Sequence, residues 1–306
     1  MKFGLVATAG GDLDGNFSEL DALGFDSFYV VDHPSFDSPD PWTYLSWVAS
    51  QTTKLRLGTH VTGMPFHHPL QLAKQVATVD KLSGGRAVLG IGTAYEHADF
   101  KPYGFQMHDF LSRIQQLEEG IQILKSFWTE EKTEFFGSFY RLEGGATFSP
   151  KPVQQPHPPI VVGLNRKGAL LRLAARMANA INTWQLGPSQ VAEISEQVRM
   201  ECLGIDRDPA SLAVTSDVIL ARGQTREEAN EIAGGIAQMA RGWGRSAKVT
   251  QWNHSGVFFG DADNMLEQVA AFAEVGVAEV AISSSGFKDI TWFSENVIDR
   301  FQQLSI

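Results

Sequence analysis

The chain has 306 residues, with 25 lysines and arginines against 35 aspartates and glutamates and a formal net charge of -10 at pH 7. That balance, with no concentrated basic face, excludes a nucleic-acid or anionic-membrane surface, so any anionic ligand has to be met locally. The single cysteine, Cys202, permits no intrachain disulfide and fits a reducing cytoplasm, and no apolar run reaches the ~18 residues of a membrane helix.

In chain order, apolar runs predict strands over 3–7, 27–31, 55–61, 87–91, 160–162, 180–183, 212–220 and 277–282, with helical patterns between them. The first strand is entered directly from the N-terminus, and nothing there reads as a signal peptide. The clearest unit is the third strand, helix and fourth strand. Pro69 opens the helix, Leu70, Leu72, Ala73, Val76, Ala77, Val79 and Leu82 form its apolar stripe, and Ser83-Gly84-Gly85 ends it. Gly24 and Gly276 end helices in the same way before the second and eighth strands. Eight such units predict one α/β domain over 1–306, a closed (β/α)8 TIM barrel.

Two segments interrupt the rhythm. Aromatic and polar residues alternate over 133–142 around Gly137-Ser138, which predicts a hairpin insert before the fifth strand, followed by the proline-rich PKPVQQPHPP. Both are expected over the barrel rim. Residues 241–259, with Trp243, Trp252, His254, Phe258 and Phe259, follow neither period. They predict a long loop insertion after the seventh strand, either a substrate lid or an aromatic-packed insertion.

Polar residues gather just after strands, at His60 and at Thr93, Tyr95 and Glu96, which is where parallel α/β proteins bind ligands. Several chemistries do not fit. GIGTAY has Tyr95 where a dinucleotide fingerprint needs glycine, and no GxxxxGK[ST] is present. Adjacent His67 and His68 cannot chelate like an i, i+4 pair and read as a solvated pair, so no metal site is expected. Paired glycosidase carboxylates and a nucleophile elbow are also missing. A histidine- and aromatic-rich site with backbone-rich loops suits a borrowed organic cofactor.

At this point the motifs GFDSFYVVDH over 24–33, LGTHV over 57–61, FHHPLQLAKQVATVDKLSGGR over 66–86, LGIGTAYEHADFKPYG over 89–104, and FFGSFYRL with PKPVQQPHPPIVVG up to Gly163 resemble, as a set, the bacterial luciferase-like family of flavin and deazaflavin oxidoreductases. The resemblance implies a barrel with the isoalloxazine ring across the C-terminal strand ends. By position, His33 matches the histidine that faces that ring and is the catalytic candidate for proton transfer, with Asp32 beside it in the cofactor shell or simply holding it in place. The His60–Val61 peptide falls where deazaflavin members carry a non-prolyl cis bond; His60 replaces a smaller residue, and whether it joins the ligand shell or turns away stays open. Thr93 and Tyr95 fall near the ring. Gly163, Asn165, Arg166 and Lys167 lead into a helix near Ala169 and resemble the cofactor loop that meets phosphate, although Leu164 stands where a second glycine is common. Met64, Glu96, Trp184, Trp243, Trp252 and Phe258 are the substrate-pocket candidates, with core packing as the other reading of the apolar ones and a solvated rim position that of Glu96.

The expected function is a cytoplasmic coenzyme F-420 (deazaflavin)-dependent oxidoreductase. It moves a hydride between cofactor C5 and a small organic substrate. The alternatives are an FMN-dependent luciferase-like monooxygenase, using oxygen and reduced flavin from a partner flavin reductase, and a non-catalytic flavin-binding barrel. The resemblance also implies a homodimer.

Overall fold

A computed structural model describes residues 1–7, 17–36, 38–240, 254–284 and 286–304. Eight strands form a ring: β1 Lys2–Ala7, β2 Ser27–Val30, β3 Arg56–Thr59, β4 Ala87–Gly92, β5 Ile160–Gly163, β6 Ala180–Trp184, β7 Ala213–Leu220 and β8 Glu279–Ser283. Each pairs in parallel with the next, and β8 closes on β1, with Ile282 opposite Leu5 and Leu5 opposite Phe28 of β2. The strands are apolar on both sides because both faces are covered. Alternate residues Phe3 and Leu5 pack outward under the helices, while Val6, Tyr29, Val88, Val161, Ala180 and Ala281 fill the barrel interior.

The covering helices are α1 Phe17–Leu20, α2 Pro41–Gln51, α3 Pro69–Leu82, α4 Phe110–Thr129, α5 Ala169–Met177, α6 Pro188–Leu203, α7 Arg226–Ala240, α8 Ala262–Glu274 and α9 Phe287–Phe293. Asp40, Asp109 and Asp261 cap α2, α4 and α8 by accepting from the amides of Thr43, Ser112 and Asn264. No helix among the described residues is long and apolar enough to cross a membrane.

The third strand departs from its expected extent. It pairs with β4 at Gly58 opposite Val88, and pairing resumes at Thr62 opposite Ile91, so residues 59–61 face only 89–90. One extra residue in β3 makes a bulge, and a bulge re-aims the side chains it carries. Thr59 Oγ1 donates to Gly90 O at 2.7 Å, and Thr62 Oγ1 donates to Thr59 Oγ1 at 3.0 Å, which satisfies polar groups the ladder leaves open. Gly90 is required there, since a Cβ on it would stand 1.8 Å from Thr59 O. The His60–Val61 peptide within the bulge is cis.

The hairpin pairs Thr133–Phe136 with Arg141–Ala146 and docks on α4, where the Glu119 carboxylate accepts from the amides of Ser138, Phe139 and Tyr140. Of the expected loop over 241–259, Val257–Phe258 instead extends the sheet beside Ile219 and Leu220 of β7, and residues 241–253 lie outside the described residues.

Two carboxylates hold distant segments together. Asp80 of α3, fully buried, accepts from Val153 N at 2.6 Å, Gln154 N at 3.0 Å and Gln154 Nε2 at 2.6 Å, and so ties the proline-rich segment to the barrel. Asp32, after β2, accepts from His67 Nε2 at 2.7 Å and from Gly63 N at 3.2 Å. His67 is therefore not the solvated residue its sequence position suggests; only His68, exposed and capping α3 through Leu70 N, faces water. Burial opposes protonation of His67, but the hydrogen bond and charge of Asp32 outweigh it and raise its pKa.

Asp80→Ala should cost about 2–4 kcal/mol in urea unfolding, because three donors lose a fully buried acceptor that ties two segments together, and Asp80→Asn should recover only part. His67→Gln should lower stability mainly in acid. A raised folded pKa means the contribution is fully present below the unfolded value of 6.5 and fades as pH rises through the folded value, so unfolding curves taken on either side of that window should converge on the alkaline side.

Candidate active site

Parallel strands bring every strand-to-helix loop to one rim, and a cavity of about 580 Å³ opens there. Of the residues singled out from sequence, Asp32, His33, His60, Val61, Thr93, Tyr95, Gly163, Asn165, Arg166 and Trp184 line it.

On one wall, His33 Nδ1 lies 2.6 Å from Oδ2 of the fully buried Asp99, whose Oδ1 accepts from Ser35 N at 3.0 Å and Ser35 Oγ at 2.6 Å. Burial works against ionisation of Asp99, but hydrogen bonds from His33 and Ser35 outweigh it and hold the carboxyl below the ordinary range. An ionised Asp99 makes Nδ1 the donor and leaves the lone pair on Nε2 of His33. Phe36 stacks on the imidazole at 4.1 Å, and Tyr95, 53% exposed, meets it edge-on at 5.9 Å. The ring plane is thus fixed by Asp99 and Phe36, and Asp32 takes no part in holding it.

The bulge supplies the floor. Val61 packs against the backbones of β4 and β5, where a Cβ on Gly92 or Gly163 would meet its methyls at 2.9 and 3.0 Å. His60 turns inward: Nδ1 is 2.9 Å from Asp217 Oδ1 on β7, and Asn182 Nδ2 of β6 donates to the other oxygen at 3.0 Å. Two further wall residues, Ala94 and Gln185, hold left-handed backbone, with φ of 51° and 56°.

A basic side of the cavity is formed by α4 and the segment after β5. Arg113, 8% exposed, lines the cavity with Nη1 anchored on His108 O at 2.7 Å, while its buried Nε has no partner. Burial lowers the pKa of its guanidinium. Arg166 and the first turn of α5, which begins after Gly168 (φ 128°) with no side chain capping it, also line the cavity. The Asn165 side-chain amide is engaged elsewhere, accepting from Trp184 N at 2.6 Å and donating to Trp184 O at 2.8 Å.

Other expected residues do not reach the cavity. Lys167 is exposed and pairs with Glu193 at 3.4 Å. Glu96 precedes a short turn and does not line the cavity. Met64 is fully buried against Gly120, and Phe258, 1% exposed, packs against Phe272 and Phe293 in the core, so neither is a pocket residue. Trp243 and Trp252 lie outside the described residues. Sequence reasoning missed Asp99, Arg113, Asn182 and Asp217. Two left a signal: Asp217 is a charge inside the apolar run of β7, and Arg113 sits one helical turn before the buried Leu117.

Comparison with known proteins places this geometry. The model of the luciferase-like monooxygenase family matches residues 17–282. The chain is 31% identical over 169 residues to the F420-dependent glucose-6-phosphate dehydrogenase of Kineococcus radiotolerans, covering 52% of this chain and 49% of that one. It is 33% identical over 133 residues to the FMNH(2)-dependent dimethylsulfone monooxygenase of Pseudomonas putida, covering 44% of this chain and 35% of that one. The matched stretches thus span about half the length, or less, of these curated relatives. Among solved structures, monooxygenase RslO1 from Streptomyces bottropensis superposes with a TM-score of 0.82 at 23% identity, over 98% of this chain and 100% of that one. An F420-dependent secondary alcohol dehydrogenase superposes at 0.81 and 17% identity, over 97% and 98%. At these identities the structural likeness bears on the fold, a (β/α)8 barrel, and the family match bears on descent: the chain belongs to the luciferase-like monooxygenase family.

Proposed function

We propose that this protein is a coenzyme F-420-dependent oxidoreductase acting on a small organic substrate at the rim cavity. The observation that carries the reading is the His33–Asp99 pair, a proton-exchanging imidazole held at 2.6 Å by a buried carboxylate on the cavity wall. The names of the Kineococcus relative and of the alcohol dehydrogenase support it.

The residues present fit the cofactor. The buried, unpartnered Nε of Arg113 fits an anion, and with Arg166 and the free first-turn amides of α5 it would hold the phosphate. Val61, seated on Gly92 and Gly163, offers an apolar face to a flat ring. When bound, the deazaflavin supplies or accepts a hydride at C5. His33 Nε2 gives a proton to, or takes one from, the substrate oxygen, and Asp99 stabilises the imidazolium form. Phe36 and Tyr95 pack on that imidazole and keep its plane fixed.

A second reading, a monooxygenase using reduced FMN, is supported by the dimethylsulfone monooxygenase relative and by RslO1. The two part on cofactor and oxygen. On the deazaflavin reading, equilibrium titration gives tighter binding of coenzyme F-420 than of FMN, and substrate is reduced in an anaerobic single turnover. Preferential FMN binding with oxygen-dependent product would establish the second reading.

His33→Ala should keep cofactor affinity and lose about 100- to 10,000-fold in turnover. Asp99→Asn should also lower turnover, since the amide can present the wrong partner to Nδ1; rates equal to the parent in both variants would make the pair structural. Arg113→Ala, compared with the parent once circular dichroism shows both folded, should weaken cofactor binding about tenfold or more and flatten its salt dependence.

A further inference from the structure

The barrel interior below the cavity floor contains ionisable groups that the proposed reaction does not use. His60 is held from one side only. Its Nδ1 faces Asp217, fixed in turn by Asn182, whose Oδ1 accepts from Thr215 Oγ1 at 2.8 Å. Its ring lies flat on Tyr29, with centroids 3.5 Å apart and planes 10° apart. With Nδ1 donating to a carboxylate, Nε2 carries the lone pair, and that nitrogen is buried without a partner.

Glu279, on the first residue of β8, points into the same interior. Tyr29 and Ser27 of β2 flank its carboxyl, and Arg56 at the start of β3 and His60 complete the charged or titratable groups around it. Gly4 of β1 leaves it room, since a Cβ there would stand 2.7 Å from Glu279 Oε1 and 3.1 Å from the Tyr29 ring. Glu279 Oε1 and Ser27 Oγ are, like His60 Nε2, buried without a hydrogen-bond partner. Buried polar atoms left without partners are costly unless a mobile proton or ordered water joins them. Burial pushes the Glu279 carboxyl up, against the pull of His60, and burial followed by the Glu279 charge pushes the Tyr29 phenol well up.

We propose that Glu279 and His60 form one coupled acid–base unit that stores a proton beneath the cavity floor and delivers it to His60 when negative charge enters the cavity. As the proton leaves the Glu279 carboxyl, His60 Nε2 gains one. The products are a carboxylate and an imidazolium already paired with Asp217, with no net change of charge inside the barrel. Tyr29 spans the two groups, its ring on His60 and its phenol beside Glu279. His33–Asp99 on the wall then serves the substrate, and the buried unit serves whatever lies on the floor. The inference rests on the proposed reaction only for the identity of that occupant.

The test needs no cofactor. Infrared difference spectra of the protein near neutral pH, parent against Glu279→Gln, should show the carbonyl stretch of a protonated carboxylic acid. That band should titrate away with a midpoint above the ordinary carboxylate range. In His60→Gln the midpoint should rise, because the base that takes the carboxyl's proton is gone. If Glu279→Gln does not fold, Glu279→Asp assigns the band by displacing it. A band missing near neutral pH, or a midpoint that ignores His60→Gln in a variant with parental circular dichroism, overturns the proposal. A coupled titration in a protein that binds neither coenzyme F-420 nor FMN supports the unit and removes the proposed reaction instead.

Discussion

One unmatched residue in β3 organises the floor of this cavity. A parallel ladder advances in step, so placing 59–61 against 89–90 forces the longer strand to bow, and it bows toward the barrel axis because Gly90 leaves space on that side. His60 and Val61 come with it. An imidazole pushed into a closed barrel needs a partner and a surface, and both are provided: Asp217 and Asn182 from the strands across the barrel, and the Tyr29 ring from the neighbouring strand. The glycines at 92 and 163 are the complementary adjustment on β4 and β5, where Val61 occupies the volume their side chains would take.

Histidine–aspartate pairing recurs around this frame, each pair joining elements far apart in sequence. His33 with Asp99 links the loops after β2 and β4, His67 with Asp32 links the start of α3 to the end of β2, and His60 with Asp217 spans the barrel. In water such pairs contribute little, but within a low-dielectric interior an aspartate without its partner is expensive, so each fixes a ring orientation firmly. The chain's acidic balance is therefore not spread uniformly over the cavity: His33, His60 and His67 engage the carboxylates nearest it, and Arg113 and Arg166 add positive charge to its lining.

The barrel was legible because its strands are short, apolar on both faces and separated by glycine-ended helices, and the ends of α3 at Pro69 and Leu82 follow directly from proline and glycine chemistry. The end of β3 was not, since Val61 has the branched side chain of a strand residue and the bulge is a property of its pairing with β4. The site divides similarly. His33, Thr93 and Tyr95 follow from being just past strand ends, whereas Asp99 reaches His33 only after ring closure brings two loops together across 66 positions. Met64 and Phe258 show the opposite limit: a large apolar side chain suits a pocket or a core equally, and it is Gly120 in one case and the rings of Phe272 and Phe293 in the other that draw them inside.

The amide of Asn165 grips the backbone of Trp184 at both its N–H and its carbonyl, which locks the chain beyond β5 to the end of β6 at two points. A two-point clasp on main chain removes both sliding and rotation between the segments it joins. The width of the cavity on that side is consequently set by backbone spacing and does not depend on which side chain occupies position 184. Exchange of Trp184 can alter the chemistry of that wall while its span stays constant, so the barrel can be retuned for a differently shaped ligand there without loosening the basic segment next to it.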